Sequence, residues 1–137
     1  MNGVSERYTF DSEAILAFYL DEEGAEVVED CFEKVQSGAA EGYINVINLT
    51  EIYYILKRVS PDLAEATEKK LRLLGLKVVP VEDDSLWREA AHIKAKHPLS
   101  LADAFAVATA ETAKSKLVVG SDKELKELNI QILRIRK

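Results

Sequence analysis

The stretch that decides the fold is residues 8–20, YTFDSEAILAFYL. Its first three residues, Tyr8-Thr9-Phe10, predict a short buried strand that ends at Asp11. Residues 12–20 are mostly apolar and predict a helix, which Gly24 ends. A buried strand that passes directly into a helix is typical of a β–α unit, in which the chain returns to the sheet through a crossover.

The rest of the chain continues this alternation, and capping and stop residues delimit its elements. The predicted elements are a helix at 25–37, a strand at 43–47, a helix capped by Asn48 that runs to Val59, a helix at 61–74 that Gly75 ends, a strand at 77–81, a helix capped by Asp83 or Asp84 that ends by His97, a helix capped by Ser100 that runs to Lys114, a strand at 116–120, a short helix at 122–128 and a strand at 130–135. This order favours a three-layer α/β/α fold with a mainly parallel five-stranded sheet. No linker or repeat is visible, so residues 1–137 are expected to form a single domain.

Composition supports a globular protein with a sizeable core. Apolar residues make up 47% of the 137 residues and charged residues 31%, which excludes a disordered chain. The single cysteine, Cys31, excludes an internal disulfide and a cysteine-based zinc site, and favours a reducing, cytoplasmic compartment. Asp11 and Glu13 interrupt the apolar stretch at 8–20, so neither a membrane span nor a signal peptide is expected there.

The net charge of −6, from 24 acids and 18 bases, argues against a nucleic-acid partner, because an acidic surface repels phosphate. The objection weakens if several of the acids bind a divalent cation, since the cation reverses the local field.

Four acids are predicted to lie near one edge of the sheet. Asp11 follows the first strand directly, Glu51 lies in the first turn of the helix after the second strand, and Asp122 comes two residues after the fourth. Asp103 lies in the first turn of the helix capped by Ser100. Ligands of open parallel sheets bind outside the carboxyl ends of the strands, so these four side chains are the candidate site.

Clustered carboxylates favour a hard cation. Crowded acids raise one another's pKa unless a cation neutralises them. An all-oxygen set without histidine or cysteine suits Mg²⁺ or Mn²⁺ rather than zinc. Such an ion provides a nucleophilic water near neutral pH and stabilises charge on phosphoryl oxygens.

Each acid also has a purely structural interpretation. Glu51 is the last residue of a capping-box pattern that begins at Asn48, and Asp103 stands third in the helix after Ser100. An acid in the first turn of a helix, as Asp122 would be, is favourable through the helix dipole alone. Asp11 is the hardest of the four to explain structurally.

The four acidic segments together resemble the PIN-domain ribonucleases. These segments are FDSEAILA (residues 10–17), NLTEIYYIL (48–56), LSLADAFAVATA (99–110) and VVGSDKEL (118–125), and their order and spacing cover nearly the whole chain. The resemblance implies a five-stranded parallel sheet and metal-dependent RNA cleavage, with Asp11, Glu51, Asp103 and Asp122 as catalytic and metal-binding residues. Small stand-alone members are commonly VapC-type toxins of toxin–antitoxin pairs.

Three departures from the family pattern stand out. Ser12 replaces the more usual Thr and keeps the hydroxyl, whereas Glu13 replaces a Ser or Ala and adds a charge near the site. Ser121 is directly adjacent to Asp122, where many members have one residue between hydroxyl and acid. This difference in spacing bears on the role of the Ser121 hydroxyl more than on the role of the Asp122 carboxylate.

Other chemistry-bearing residues are interpreted conservatively. His92 and His97 are assigned to the surface, Trp87 to the core or to a partly buried position, and Cys31 to an inert core. Two basic clusters, Lys57-Arg58 and the tail at 134–137, could contact phosphates, although most such clusters are only solvated.

Two other functions compete with an endoribonuclease. A phosphoacceptor receiver would need an acid pair after the first strand, an aspartate after the third and a lysine after the fifth. The segment VEDD (residues 81–84) could supply the third-strand acid, but the final strand ends the chain and leaves no loop. A non-catalytic interaction module would keep the fold without needing the acids.

The expected partners are RNA, a second copy of the chain and a small antitoxin, with no membrane association. A homodimer is expected because pairing two copies would align the scarce Lys and Arg along one groove. The family resemblance also implies a homodimer. An antitoxin is expected to cover the acids with a basic side chain, most naturally Arg, which replaces the charge of the metal.

Overall fold

The computed structural model describes residues 6–121, 124–125 and 127–137. Strands and helices alternate along this part of the chain. The elements are β1 (Glu6–Phe10), α1 (Ser12–Tyr19), α2 (Ala25–Ser37), β2 (Ala40–Asn45), α3 (Val46–Val59), α4 (Pro61–Leu74), β3 (Lys77–Val79), α5 (Asp84–Lys96), α6 (Leu101–Ala113), β4 (Lys116–Val119) and β5 (Ile132–Arg134).

The five strands form one parallel sheet in the order β3-β2-β1-β4-β5. The predicted α/β class and five-stranded parallel sheet are therefore confirmed. The chain runs outward from β1 to β3 and then returns to place β4 on the other side of β1. The strand order thus reverses between β1 and β4, and such a switch point leaves a crevice at the carboxyl ends of the two strands.

Helices cover both faces of the sheet because successive strand residues point to opposite sides. On β4, the Val118 side chain packs in the core formed mainly with α1, α2, α3 and α4. Leu117 and Val119 pack in the other core, beneath α5 and α6. Helix α6 is buried over its central seven residues, from Ala104 to Ala110. Its alanines allow it to lie close to the sheet, which fixes Asp103 near the crevice.

The start of α3 differs from the prediction. The second strand ends at Asn45 rather than at Ile47, and Asn45 rather than Asn48 caps the helix, because its Oδ1 accepts a hydrogen bond from Ile47 N at 2.8 Å. The positions of Asn45 and Asn48 in the sequence both suit an N-cap residue. Only the tertiary contacts of Asn48 decide which of the two caps α3. The capping-box interpretation of Glu51 is wrong, because Glu51 lies in the second turn of α3.

Four further details correct the prediction. Strand β3 stops at Val79, since Pro80 cannot donate to a ladder, and β5 is limited to Ile132–Arg134. The described residues of the predicted helix at 122–128 form turns and bends instead. The side chain of Trp87 is 44% exposed rather than part of the core, and its indole N–H donates to Asp84 Oδ1 at 3.1 Å.

Cys31 lies in the core as predicted, and burial raises the pKa of its thiol to about 11, which makes it unreactive at neutral pH. Within the described residues, no helix combines the length and the apolar character that crossing a bilayer requires.

The packing of α5 on α6 brings Glu89 close to Glu111. The pKa of Glu111 is raised to about 7. Burial is the largest cause, followed by the hydrogen bond with Glu89 and then by the negative charge of Glu89. A raised pKa in the folded state means that the stabilising contribution of Glu111 is fully present below its ordinary pKa of 4.5. That contribution is lost as the pH rises through about 7.

We expect Glu111→Gln to raise the melting temperature at pH 8 by at most about 3 °C, because the pair is largely solvated. At pH 4 the protonated wild-type side chain resembles glutamine, so the two proteins should melt together. Calorimetric melting at both pH values makes the comparison, and a difference that is the same at pH 4 and pH 8 would contradict the assignment.

Candidate metal centre

Asp11 stands at the switch point of the sheet. After β1 ends, Asp11 N still donates to Val118 O of β4 at 3.0 Å. Its side chain caps α1, since Oδ1 accepts a hydrogen bond from Ala14 N at 2.7 Å. The residue is only 5% exposed. A buried carboxylate is thus held between two strands and at the positive end of a helix.

The surroundings of Asp11 disfavour its negative charge. Burial raises the pKa of its carboxyl well above the ordinary range, and the hydrogen bond from Ala14 opposes that shift only in part. The negative charges of Asp103, Glu13 and Glu51 raise the pKa further. Three other acids therefore act on Asp11 at the same time, and a cation among them would reverse the effect.

Asp103 meets Asp11 from the opposite side of the crevice. It lies in the first turn of α6, where Ser100 caps the helix by accepting a hydrogen bond from Asp103 N at 3.1 Å. Burial raises the pKa of Asp103, a hydrogen bond with Ser100 lowers it, and the charges of Glu51, Glu13 and Glu124 raise it. The predicted capping role of Ser100 is confirmed, and it leaves the Asp103 carboxylate beside the other acids.

Two cavities meet at these acids. The first, which we name the Asp11 cavity, has a volume of about 200 Å³, and its polar lining comes from Asp11, Glu13, Asp103, Ser121 and Glu124. The second, the Glu51 cavity, has a volume of about 450 Å³ and contains Glu51 together with Glu13 and Asp103. Asp103 and Glu13 line both. The smaller volume is enough for an ion and several waters.

A buried amide ties the three acid-bearing helices together. Asn48 Nδ2 of α3 donates to Ser12 Oγ of α1 at 3.2 Å and to Ala102 O of α6 at 3.1 Å. The Ser12 hydroxyl in turn donates to Asn48 O at 3.3 Å. Asn48 Oδ1 is buried without a hydrogen-bond partner among the described residues. Because Ser12 and Ala102 adjoin Asp11 and Asp103, this network sets the spacing of the acids.

Of the four predicted acids, the structure brings Asp11, Asp103 and Glu51 together, and Asp122 lies outside the described residues. The sequence analysis could not place Glu13, whose carboxylate lies in both cavities and pairs with Arg136. It missed Glu124 altogether. The one signal for Glu124 is its position a few residues after β4, within the segment predicted as a helix at 122–128.

The donor set fits a hard divalent cation. Within the described ranges, no group of three or more His, Cys, Asp or Glu side chains is close enough to hold an ion together. Mg²⁺ does not need such a cage, because it keeps several waters and takes one or two carboxylates directly. Asp11, which is buried, and Asp103, which is partly buried, are the two described carboxylates that could provide such oxygen ligands. Burial and the neighbouring negative charges raise the pKa of both.

Fold and site together define an α/β protein with a carboxylate site at the switch point of a parallel sheet. The sequence matches the model of the PIN domain family over residues 8–131. The match spans most of the chain, which therefore belongs to the PIN-domain family. No curated protein sequence matches the chain significantly.

Solved structures of toxin–antitoxin proteins share the fold. A chain of the DNA-bound VapBC complex from Salmonella typhimurium superposes with a TM-score of 0.73 at 17% identity, covering 95% of this chain and 98% of that chain. The VapC20 toxin from Mycobacterium tuberculosis, described as cleaving the sarcin–ricin loop, gives a TM-score of 0.68 at 14% identity, covering 85% and 91%. A toxin–antitoxin complex from Klebsiella pneumoniae gives 0.69 at 14% identity, covering 93% and 97%. At such identities the likeness shows the fold alone.

The receiver interpretation does not survive the topology. A receiver-type sheet has the order 2-1-3-4-5, whereas β3 lies here at the sheet edge beyond β2. Within the segment 81–84, which the interpretation used for the acid after the third strand, Asp83 instead caps α5 by accepting a hydrogen bond from Leu86 N at 3.0 Å.

The two roles of Asp11, helix cap and buried charge, can be separated by substitution. Asparagine caps helices as well as aspartate does, so Asp11→Asn should keep or raise the melting temperature of the metal-free protein near neutral pH. Asp11→Ala also removes the charge but loses the cap, which costs about 1 kcal/mol. The Asn variant should therefore melt above the Ala variant in EDTA.

The pH dependence has a defined sign. The pKa of Asp11 is raised on folding. Its stabilising contribution to the free energy of unfolding is therefore fully present below its ordinary pKa of 3.8 and is lost as the pH rises through the folded-state pKa. The advantage of Asp11→Asn over wild type should therefore grow as the pH rises from 3.8. A large fall in melting temperature for Asp11→Asn at pH 7 would mean that the carboxylate has a structural role.

Proposed function

We propose that this chain is a metal-dependent endoribonuclease and the toxin of a toxin–antitoxin pair. Membership of the PIN-domain family supports the nuclease class. Its structural neighbours include toxin–antitoxin complexes, and one neighbour is described as an RNA-cleaving toxin. The alternative, a non-catalytic interaction module, does not require acids in the crevice.

The observation that carries the proposal is the burial of Asp11 beside Asp103 at the switch point, with Glu51 close enough to raise the pKa of both. Burying like charges together destabilises a fold and is retained where function requires it. An interaction module would gain stability by replacing either aspartate.

Each residue has a defined part in this proposal. Asp11 and Asp103 hold Mg²⁺ or Mn²⁺ directly, while Glu51 lies further out across the Glu51 cavity. Asp122 is proposed to complete the acidic set from the segment after β4. The cation, once bound, supplies an activated water and offsets negative charge on the phosphoryl oxygens. Ser100 holds Asp103 in the first turn of α6, and Asn48 keeps α1, α3 and α6 in register.

RNA cleavage with and without EDTA is the direct test. We expect the wild-type protein to cleave a fluorogenic RNA in Mg²⁺ or Mn²⁺, and EDTA to abolish the cleavage. Asp103→Asn should lower kcat/KM about a hundredfold or more, because charge stabilisation in the transition state is lost. The matched control is Asp62→Asn, which removes a first-turn acid from α4 and should leave cleavage unchanged.

Calorimetry with Mn²⁺ provides the binding arm of this test. Wild-type protein should bind the ion with a heat that the Asp11→Asn, Asp103→Asn double variant lacks. Equal heats for the two proteins, or wild-type cleavage that persists in EDTA, would contradict a metal site built on these residues.

The proposed assembly is a homodimer that also binds a small antitoxin. The net charge of −6 leaves little basic surface on one copy for RNA, and pairing two copies would join their basic side chains along one groove. An arginine from the antitoxin would neutralise the acids by forming bidentate pairs with carboxylates.

Co-expression with the protein encoded by the adjacent reading frame tests the antitoxin. We expect a complex that does not cleave RNA. Binding should weaken about tenfold when Asp11, Glu51, Asp103 and Asp122 are all changed to their amides, because charge-assisted hydrogen bonds are lost. A partner that binds this variant as tightly as wild type, or that leaves RNA cleavage unchanged in excess, would contradict the proposal.

A further inference from the structure

The end of the chain brings a single guanidinium to the acidic crevice. Beyond β5, Ile135 N donates to Val119 O at 3.0 Å and Arg136 N donates to Gly120 O at 3.2 Å. Ile135 is buried and lies against Gly24, where a Cβ would come within 2.7 Å of Ile135 O. The backbone of Arg136 is thus fixed from two sides, by β4 and by the turn before α2.

The side chain of Arg136 is held as firmly as its backbone. Nη2 pairs with Glu13 Oε2, and Nη1 donates to Glu23 O at 3.2 Å. The Arg136 side chain is only 20% exposed. A guanidinium carries more N–H donors than these two contacts use, and it binds planar or tetrahedral oxyanions through pairs of them.

Glu13 is itself placed by a close contact with the backbone. Its carboxylate lies directly over Gly120, where a Cβ would come within 2.3 Å of Glu13 Cδ. Any other residue at position 120 would displace the Glu13 carboxylate. Gly120 and Arg136 therefore fix a side chain that stands only two residues after Asp11.

The electrostatics of the crevice give Arg136 a particular importance. It lines the Glu51 cavity together with Glu51, Asp103, Ser12 and Ser100. Among the described residues that line the Asp11 and Glu51 cavities, Arg136 is the only base. All the other charged residues that line these two cavities, among those described, are acids. An RNA phosphate that enters either cavity therefore meets carboxylates except at Arg136.

We propose that Arg136 binds a phosphate of the RNA beside the Asp11–Asp103 pair, and that Glu13 is the residue that positions it. This inference rests on the proposed ribonuclease function. It assigns a role to the two features that the sequence left unexplained, the extra acid at position 13 and the basic tail. The bond is a charge-assisted contact from the free edge of the guanidinium to non-bridging oxygens.

Binding of a fluorescein-labelled single-stranded RNA, followed by anisotropy in Ca²⁺ between 50 and 200 mM salt, tests the contact. Arg136→Gln should weaken binding about tenfold and reduce the slope of log K against log salt by about 0.7, the value for one lost phosphate contact on a single strand. Arg136→Lys keeps the charge without the planar fork, so it should recover the salt slope and only part of the affinity.

A charge-neutral double variant separates phosphate binding from simple neutralisation of Glu13. Glu13→Gln with Arg136→Gln keeps the net charge of −6. If Arg136 only balanced Glu13, this variant would bind RNA like the wild type, and that result would overturn the proposal. If Arg136 contacts phosphate, binding should remain about tenfold weaker. The control Arg88→Gln removes an exposed arginine of α5 and should change neither affinity nor slope.

The outcomes also separate this proposal from the ribonuclease function. Wild-type cleavage that is abolished by EDTA, combined with unchanged RNA binding by Arg136→Gln, overturns only the role of Arg136. A wild-type protein that neither binds nor cleaves RNA overturns both. Melting temperatures of all variants identify any loss of RNA affinity that arises from unfolding.

Discussion

The crowding of carboxylates around Asp11 is the constraint on which the rest of the structure depends. Asp11 is buried at the point where the sheet reverses its order, and the charges of Asp103, Glu13 and Glu51 all oppose its ionisation. The fold tolerates this because two strong local interactions hold the residue, the backbone bond to Val118 and the cap on Ala14. Neither depends on the cation that the site is proposed to bind, so the apo chain can keep the geometry of the site.

The supporting structure is divided between the two faces of the sheet. Asp11 and Glu51 are carried by elements that pack in the core of α1 to α4, whereas Asp103 is carried by α6 on the opposite face. The buried side chain of Asn48 connects the two sides across the crevice. A change in packing on one face therefore alters the distance between the acids, and we infer that the precision of the site depends on this amide as much as on the acids.

The charge distribution explains how an acidic protein can be proposed to act on RNA. The described acids of the crevice repel phosphate in the absence of a cation, and Arg136 is the only base among the described residues that line it. Under the proposed function, affinity for RNA would depend on the bound metal, which would limit unproductive binding. In the proposed toxin–antitoxin pair, the same acids would be the target for a basic side chain of the antitoxin.

The sequence alone determined the fold class, the parallel five-stranded sheet and the caps at Gly75 and Ser100, because these follow from local periodicity and from short-range hydrogen bonds such as that of Ser100. The four acidic segments also indicated the PIN-domain family through their order and spacing alone. Asp122 stays a prediction, since it lies outside the described residues.

Only the tertiary structure decided which of Asn45 and Asn48 caps α3, since both have the right spacing and the choice depends on contacts with α1 and α6. It likewise decided the position of Glu13, whose partners Gly120 and Arg136 are more than a hundred residues distant along the chain. Contacts of that separation leave no periodic trace in a sequence. They exist only because β4 and β5 run parallel to β1, so that the carboxyl ends of the three strands lie at the same end of the sheet.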